Sequence, residues 1–221
     1  MQKNLLMKGR HLQVALDMLD LDLALDIAKI ACKEGATIIE AGTPLIKMHG
    51  MKAVRELKSQ VNGGLILADL KTADVGELEV NMAADAGADI VTVLGCSDNS
   101  TIESAKKAAK DRGILLETDM INVKNPAVRA SELIKIGADI VSFHIGIDQQ
   151  IKHKIGGEIL KNEIKHITGK AIISVAGGLN VERIMALREL NINIFVVGAS
   201  ITKSPDPQTA ARSLMRAVNG P

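Results

Sequence analysis

Asp69, Lys71 and Asp74 stand close together at the end of the apolar run Leu65–Leu70. Asp69 and Lys71 are two residues apart, so on a strand they point to one side. Other apolar runs end in the same kind of residue. Asp17 follows Leu12–Leu16, Glu40 falls at the end of Thr37–Ala41, Asp119 follows Ile114–Thr118, and His144 follows Asp139–Phe143. Carboxylates near a lysine favour its charged form, which makes Lys71 a proton donor or oxyanion stabiliser rather than a Schiff-base nucleophile. An imidazole at a strand end suits proton abstraction near neutral pH, and His144 is the histidine placed there. His11, His49, His153 and His166 fall before the first strand or in helical or loop contexts. Glu40 and Asp69 are hard oxygen donors on neighbouring strand ends. Two carboxylates with substrate oxygens are one way to hold Mg²⁺; the other reading is that both only pair with Lys71.

Glycines mark the ends of the last two strands. Gly177 and Gly178 follow Ala171–Val175 in the segment Ser174–Asn180, and Gly198-Ala199 follows Asn193–Val197. Glycine lets backbone amides approach an anion, so this pair of loops reads as a phosphate site; the plainer reading is two tight turns.

These groups do chemistry together only if the strands carrying them are parallel and open at one mouth. The chain alternates short β-branched runs with helical stretches. The strand candidates are Leu12–Leu16, Thr37–Ala41, Leu65–Leu70, Asp89–Leu94, Ile114–Thr118, Asp139–Phe143, Ala171–Val175 and Asn193–Val197. Continuous apolar runs mark strands buried on both faces. Gly35, Gly87 and Gly137 end helices. Ser100 with Glu103, Asn180, and Asp206 before Pro207 read as helix starts, and Asp148 as another cap. Met82 and Met185 fall at positions that read as helix packing. The near-copies Ala86–Asp89 and Ile136–Asp139 each feed a strand, as tandem βα units do. Roughly 26 residues per unit predicts one (β/α)8 TIM barrel over residues 1–221, with active-site residues at the carboxyl ends of its strands. An open doubly wound sheet would carry a Gly-x-Gly-x-x-Gly turn after its first strand, where Asp17-Met18-Leu19-Asp20 stands instead.

Composition narrows the function classes. The chain has 221 residues, 47% of them hydrophobic, and a net charge of +1, which gives no polybasic surface for nucleic acid. Cys32 and Cys96 are far apart and lack metal-ligand spacing, which fits a reducing cytoplasm. Leu5-Leu6-Met7 is too short for a signal-peptide core, and no apolar run approaches the ~20 residues of a membrane span. Only two Phe and no Trp or Tyr are present, so substrate grip falls to charge, hydrogen bonds and backbone amides.

Asp69-x-Lys71-x-x-Asp74 resembles the signature of the orotidine-phosphate decarboxylase suprafamily. Within it, Leu12–Asp17, Ile39–Lys47, Ala68–Asp74, Phe143–Gln150 and Ser174–Asn180 resemble the 3-hexulose-6-phosphate synthases, in the right order and over Leu12 to Asn219. The resemblance implies an Mg²⁺-dependent aldol reaction joining formaldehyde to C1 of D-ribulose 5-phosphate. It also implies Glu40 and Asp69 as metal ligands, His144 as base, Lys71 as stabiliser of the ene-diolate, and Asp17 on substrate hydroxyls. Asp119 matches an acidic family position. A homodimer is implied too, with Asp74 reaching into the neighbour's site. Gly177, Gly178, Gly198 and Ala199 fall at the phosphate loops, although Ala199 stands where an arginine or glycine is common. Two other readings stay open: decarboxylation of 3-keto-L-gulonate 6-phosphate, and a non-catalytic sugar-phosphate-binding barrel. The segment after His144 reads Ile145-Gly146-Ile147, without the arginine of the decarboxylases.

Overall fold

The computed structural model describes residues 2–165, 167 and 171–220; His166 lies outside them. Eight strands run β1 (His11–Leu16), β2 (Ile38–Ala41), β3 (Leu65–Thr72), β4 (Ile90–Leu94), β5 (Leu115–Asp119), β6 (Ile140–His144), β7 (Ile172–Ala176) and β8 (Ile194–Val197). They pair in parallel in sequence order, and β8 closes on β1 through His11↔Ile194 to Val14↔Val197. At least one helix follows every strand. This is the (β/α)8 barrel that the alternation predicts. No helix among the described residues is long and apolar enough to cross a membrane.

The period of two in each strand divides its side chains between two cores. Ile38, Leu67, Ile90, Leu115, Ile140, Ile172 and Ile194 fill the barrel interior, with Leu6 of the helix Gln2–Leu6 packed among them. The residues between them, such as Ile39, Ile66, Val91, Leu116, Val141 and Ile173, face outward and pack beneath the helices. Both phenylalanines, Phe143 and Phe195, are fully buried in that outer layer. Burying a side chain such as Leu6 stabilises the fold by about 1.5–3 kcal/mol.

The near-copies before β4 and β6 have a shared structural use. Asp89 accepts the Ile66 N–H at 2.8 Å and Lys58 at 2.7 Å. Asp139 accepts the Leu116 N–H at 3.1 Å, Lys106 at 2.5 Å and Lys3 at 2.7 Å. Each carboxylate thereby ties the start of its strand to the strand before the preceding helix.

Several local expectations change. The helix Asn99–Arg112 is capped by Asp98, whose side chain accepts the Ser100 N–H, so Ser100 and Glu103 are not its capping box. Asp148 lies in the first turn of Ile147–His153, and Gly146 is the cap residue. Met82 and Met185 are solvent-exposed rather than packed. His11 opens β1 instead of preceding it, with its ring against Thr37 and the Lys8 carbonyl. Asn180 and Asp206 do cap their helices, through the Arg183 and Thr209 N–H groups.

β3 is the irregular strand. Its pairing with β4 runs Leu67↔Ile90 and Ala68↔Val91, then resumes at Thr72↔Val93, so extra residues bulge between Ala68 and Thr72. Lys71 sits in that bulge at φ 48°, and its N–H donates to the Thr92 hydroxyl at 2.9 Å. A left-handed backbone is uncommon away from glycine.

Candidate active site

The carboxyl ends of the strands meet at one mouth, and the charged side chains join there. Lys71 Nζ lies 2.7 Å from Asp69 Oδ2 and 3.0 Å from Asp119 Oδ2. His144 Nδ1 lies 3.0 Å from the same Asp119 oxygen and 3.1 Å from the other. Asp119 therefore bridges the lysine and the histidine, and the Ile121 N–H at 2.9 Å fixes it further. Asp69 is held in turn by the Thr43 hydroxyl at 2.7 Å and the Thr92 hydroxyl at 2.8 Å. Asp69 and Asp119 are buried, whereas Lys71 and His144 are half-buried and face the opening.

Charge states follow from this packing. Burial alone would lower the Lys71 ammonium. Asp69 and Asp119 outweigh it and push the group above its ordinary value, so it stays charged. Burial would raise Asp119, yet the pull of His144, its hydrogen bond and Lys71 hold the carboxyl far below the usual range. Glu40 is buried. Desolvation first, then the Asp69 and Asp17 carboxylates, push it well above its ordinary value, with Lys71 and the Gln13 amide at 2.7 Å opposing. Asp17 reaches solvent at the rim but is ringed by protein. That enclosure and Asp69 raise its carboxyl, against Lys71 and His144. Its side chain lies over Gly42, where a Cβ would collide with it, and beside Gly198.

Asp17, Glu40 and Asp69 thus crowd three carboxyl groups around a single ammonium, and this donor chemistry suits a small divalent cation, which would favour their ionised forms. Among the described residues no group of three or more His, Cys, Asp or Glu is arranged to hold an ion by itself. Two carboxylates completed by substrate oxygens are the mode that fits Mg²⁺.

Gly177 (φ 121°) and Gly178 (φ 59°) turn the chain sharply after β7. Gly198 and Ala199 follow β8, Ala199 opening the helix Ala199–Thr202. Asp74 is exposed on the loop after β3, where its side chain accepts the Val75 N–H, and it does not join the cluster of its own chain.

Four participants escape a reading of strand ends alone. Gln13, Thr43 and Thr92 position Glu40 and Asp69. Glu117 lies two residues below Asp119 on β5 and points the same way into the barrel. It is 3% exposed, and its Oε2 has no hydrogen-bond partner among the described residues. Burial, then Asp119, pushes its carboxyl up to about 8. The available signal was a charged residue at the inward period of an otherwise apolar strand.

Comparison with known proteins gives a consistent picture. Residues 10–214 match the model of the orotidine 5'-phosphate decarboxylase / HUMPS family. The chain is 39% identical to a 3-hexulose-6-phosphate synthase of Mycobacterium gastri, over 94% of this chain and 99% of that protein. It is also 39% identical to a bifunctional enzyme Fae/Hps of Methanothrix thermoacetophila, over 89% of this chain but only 49% of that longer protein. Among solved structures, 3-hexulose-6-phosphate synthase from Salmonella typhimurium superposes with a TM-score of 0.89 at 36% identity, covering 94% of this chain and 98% of that one. The KGPDC of Streptococcus mutans gives 0.88 at 28% identity, covering 95% and 97%.

Proposed function

Because the chain belongs to the orotidine 5'-phosphate decarboxylase / HUMPS family, we propose that it is a 3-hexulose-6-phosphate synthase, an aldehyde-lyase joining formaldehyde to D-ribulose 5-phosphate or running the reverse cleavage. The observation that carries this reading is the bridge from Lys71 through Asp119 to His144. It supports a reading in which the Lys71 ammonium and His144, as base, act around one opening.

The base follows from the hydrogen bonds. His144 commits Nδ1 to Asp119, which leaves Nε2 as the basic nitrogen. Nε2 takes a proton from C1 of the ketose phosphate, and charge moves onto the neighbouring carbonyl oxygen to give an ene-diolate. The Lys71 ammonium stabilises that oxygen. C1 then attacks the formaldehyde carbon, and the new alkoxide takes back the proton from His144. Asp17 binds sugar hydroxyls at the rim, and the amides of Gly177, Gly178, Gly198 and Ala199 receive the phosphate. Glu40 and Asp69 would hold Mg²⁺, which supplies Lewis-acid polarisation of the ketose carbonyl. The partner is a second copy of the chain, whose site Asp74 would enter; exposure of Asp74 outside its own cluster supports this arrangement.

A decarboxylase reading draws on the same fold likeness, but the segment Ile145-Gly146-Ile147 offers no side-chain donor beside His144. The deciding measurement is formaldehyde consumption with ribulose 5-phosphate, with Mg²⁺ and then with excess EDTA. Rapid loss abolished by EDTA supports synthase and metal together. No loss in either case, with carbon dioxide release from 3-keto-L-gulonate 6-phosphate, moves the assignment to the decarboxylase. Thermal unfolding with and without Mg²⁺ tests the metal apart from turnover: an ion at ~100 times its Kd adds about 2.7 kcal/mol, and Glu40→Gln should remove that gain.

A further inference from the structure

The loop after β7 has an unusual division of its polar groups. Four consecutive carbonyls are each engaged. The Ala176 oxygen accepts the Ile145 N–H at 3.2 Å, and the Gly177 oxygen accepts the Gly157 N–H at 2.8 Å. The Gly178 oxygen accepts Arg183 Nη1 at 2.6 Å, and the Leu179 oxygen accepts the Ser200 hydroxyl at 2.8 Å. By contrast, the N–H groups of Gly177, Gly178 and Leu179 donate to no other described residue. A loop whose oxygens are tied outward presents its amides together, and converging amides bind anions.

Two of the four ties are side chains that the strand-end cluster does not include. Arg183 is half-buried on the helix Val181–Leu187, and its Nε lies 3.2 Å from Glu158 Oε2. Its guanidinium packs so close to Gly156 and Gly178 that a Cβ at either glycine would collide with it. Ser200 comes from the helix after β8, so its bond to Leu179 joins the two glycine-bearing loops. Gln150 adds a similar link, donating at 2.7 Å to the Ile145 carbonyl on the loop that follows His144.

We propose that Arg183, held by Glu158, and Ser200 are positioning residues for phosphate: they fix the carbonyls of Gly178 and Leu179 outward, so that the amides of the same peptide planes, those of Leu179 and Asn180, face the anion beside the Gly177 and Gly178 amides. The proposal rests on the sugar-phosphate reading given above. Arg183 also leaves its positive charge near the loop, partly balanced by Glu158.

The prediction is a split between binding and turnover. Arg183→Met should raise the KM for ribulose 5-phosphate about tenfold, the equivalent of ~1.4 kcal/mol, with kcat changed less than about threefold, because an interaction made equally in ground and transition states changes KM alone. Ser200→Ala should act in the same direction by about threefold. Arg183→Lys, which retains a donor for the Gly178 carbonyl, should recover part of the loss and covers the case in which the methionine variant fails to fold. Inorganic phosphate is the second probe, titrated by calorimetry and requiring no turnover; its Kd should rise about tenfold in Arg183→Met. An unchanged phosphate Kd in that variant, or phosphate failing to bind the wild-type protein, overturns the proposal, as does a kcat loss with KM unaltered. Failure of the synthase reading would show separately, as absence of wild-type turnover while the phosphate titrations still discriminate the variants.

Discussion

Asp119→Asn is the most informative single change at the site. The carboxylate accepts from Lys71 at 3.0 Å, His144 at 3.0 Å and the Ile121 N–H at 2.9 Å, all from a buried position. Asparagine is nearly the same shape but keeps one acceptor oxygen. Its NH2 stands either at the Oδ2 position, against the Lys71 ammonium and the His144 ring, or at the Oδ1 position, against the Ile121 N–H and the ring, donor against donor in both. One charge-assisted hydrogen bond, worth about 1.5–3 kcal/mol, is therefore lost outright, which alone is roughly 10- to 150-fold at ~1.4 kcal/mol per decade. If His144 turns its proton to Nε2, the base is lost as well, and a positioned base contributes about 10²–10⁴. The expected result is a kcat lower by about 10²–10³, with KM within a few-fold, since Asp119 is buried behind Lys71 and His144. Lys71 keeps Asp69, so the variant should fold, with its thermal midpoint as control. Stopped assays of formaldehyde consumption measure the effect. A folded variant retaining more than a fifth of the wild-type kcat would refute the bridge as a catalytic element.

Two further outcomes follow from the geometry. Glu117 is held un-ionised in the folded barrel up to about pH 8, whereas an unfolded carboxyl ionises near its ordinary 4.5; the folded state therefore binds the extra proton between those values, and stability falls as pH rises through that window. Urea unfolding of Glu117→Gln should be less pH-dependent than wild type from about pH 5 to 8, with a constant gap above it; parallel curves would show that Glu117 does not titrate this way. Asp74→Asn and Lys71→Met should each be inactive alone, and mixing them by co-expression should restore about a quarter of wild-type activity per total subunit if dimers assort at random and each site draws on two chains; absence of recovery in a verified mixed dimer would place Asp74 outside the neighbour's site.

The barrel was legible because most strands are largely apolar runs, several of them closed by a charged residue or a glycine, and because the strands of a parallel barrel deliver those ends to one mouth. The same pattern exposed Glu40, Asp69, Asp119 and His144 as neighbours. It gave no pairing among them. That Asp119 serves both Lys71 and His144 depends on β5 lying between β4 and β6 and on the reach of Lys71 from β3 across β4, which no local spacing encodes. Lys71 illustrates the difference further. Alternation placed it on the side of Asp69, and the two do meet, but through a bulge and a left-handed backbone that the segment Ala68–Asp74 does not advertise by any glycine. Gln13 and Glu117 went unread because polar residues within a strand are ambiguous until the inward face is known. Met82 and Met185 misled for the converse reason: helical spacing identifies a stripe, but whether the stripe meets the barrel depends on how the helix is rotated on it.

The bulge in β3 has a consequence for how the site breathes. Most strand amides in this barrel are secured by a neighbouring strand's carbonyl and open only with the sheet. The Lys71 N–H is secured by the Thr92 hydroxyl instead, a bond that lies outside the strand ladder. Hydrogen exchange at that one amide should therefore proceed by local fluctuation, faster than at Ala68 below it and largely uncoupled from global unfolding. The position that carries the Lys71 ammonium is, on this account, a place where the backbone can yield while the barrel around it stays closed.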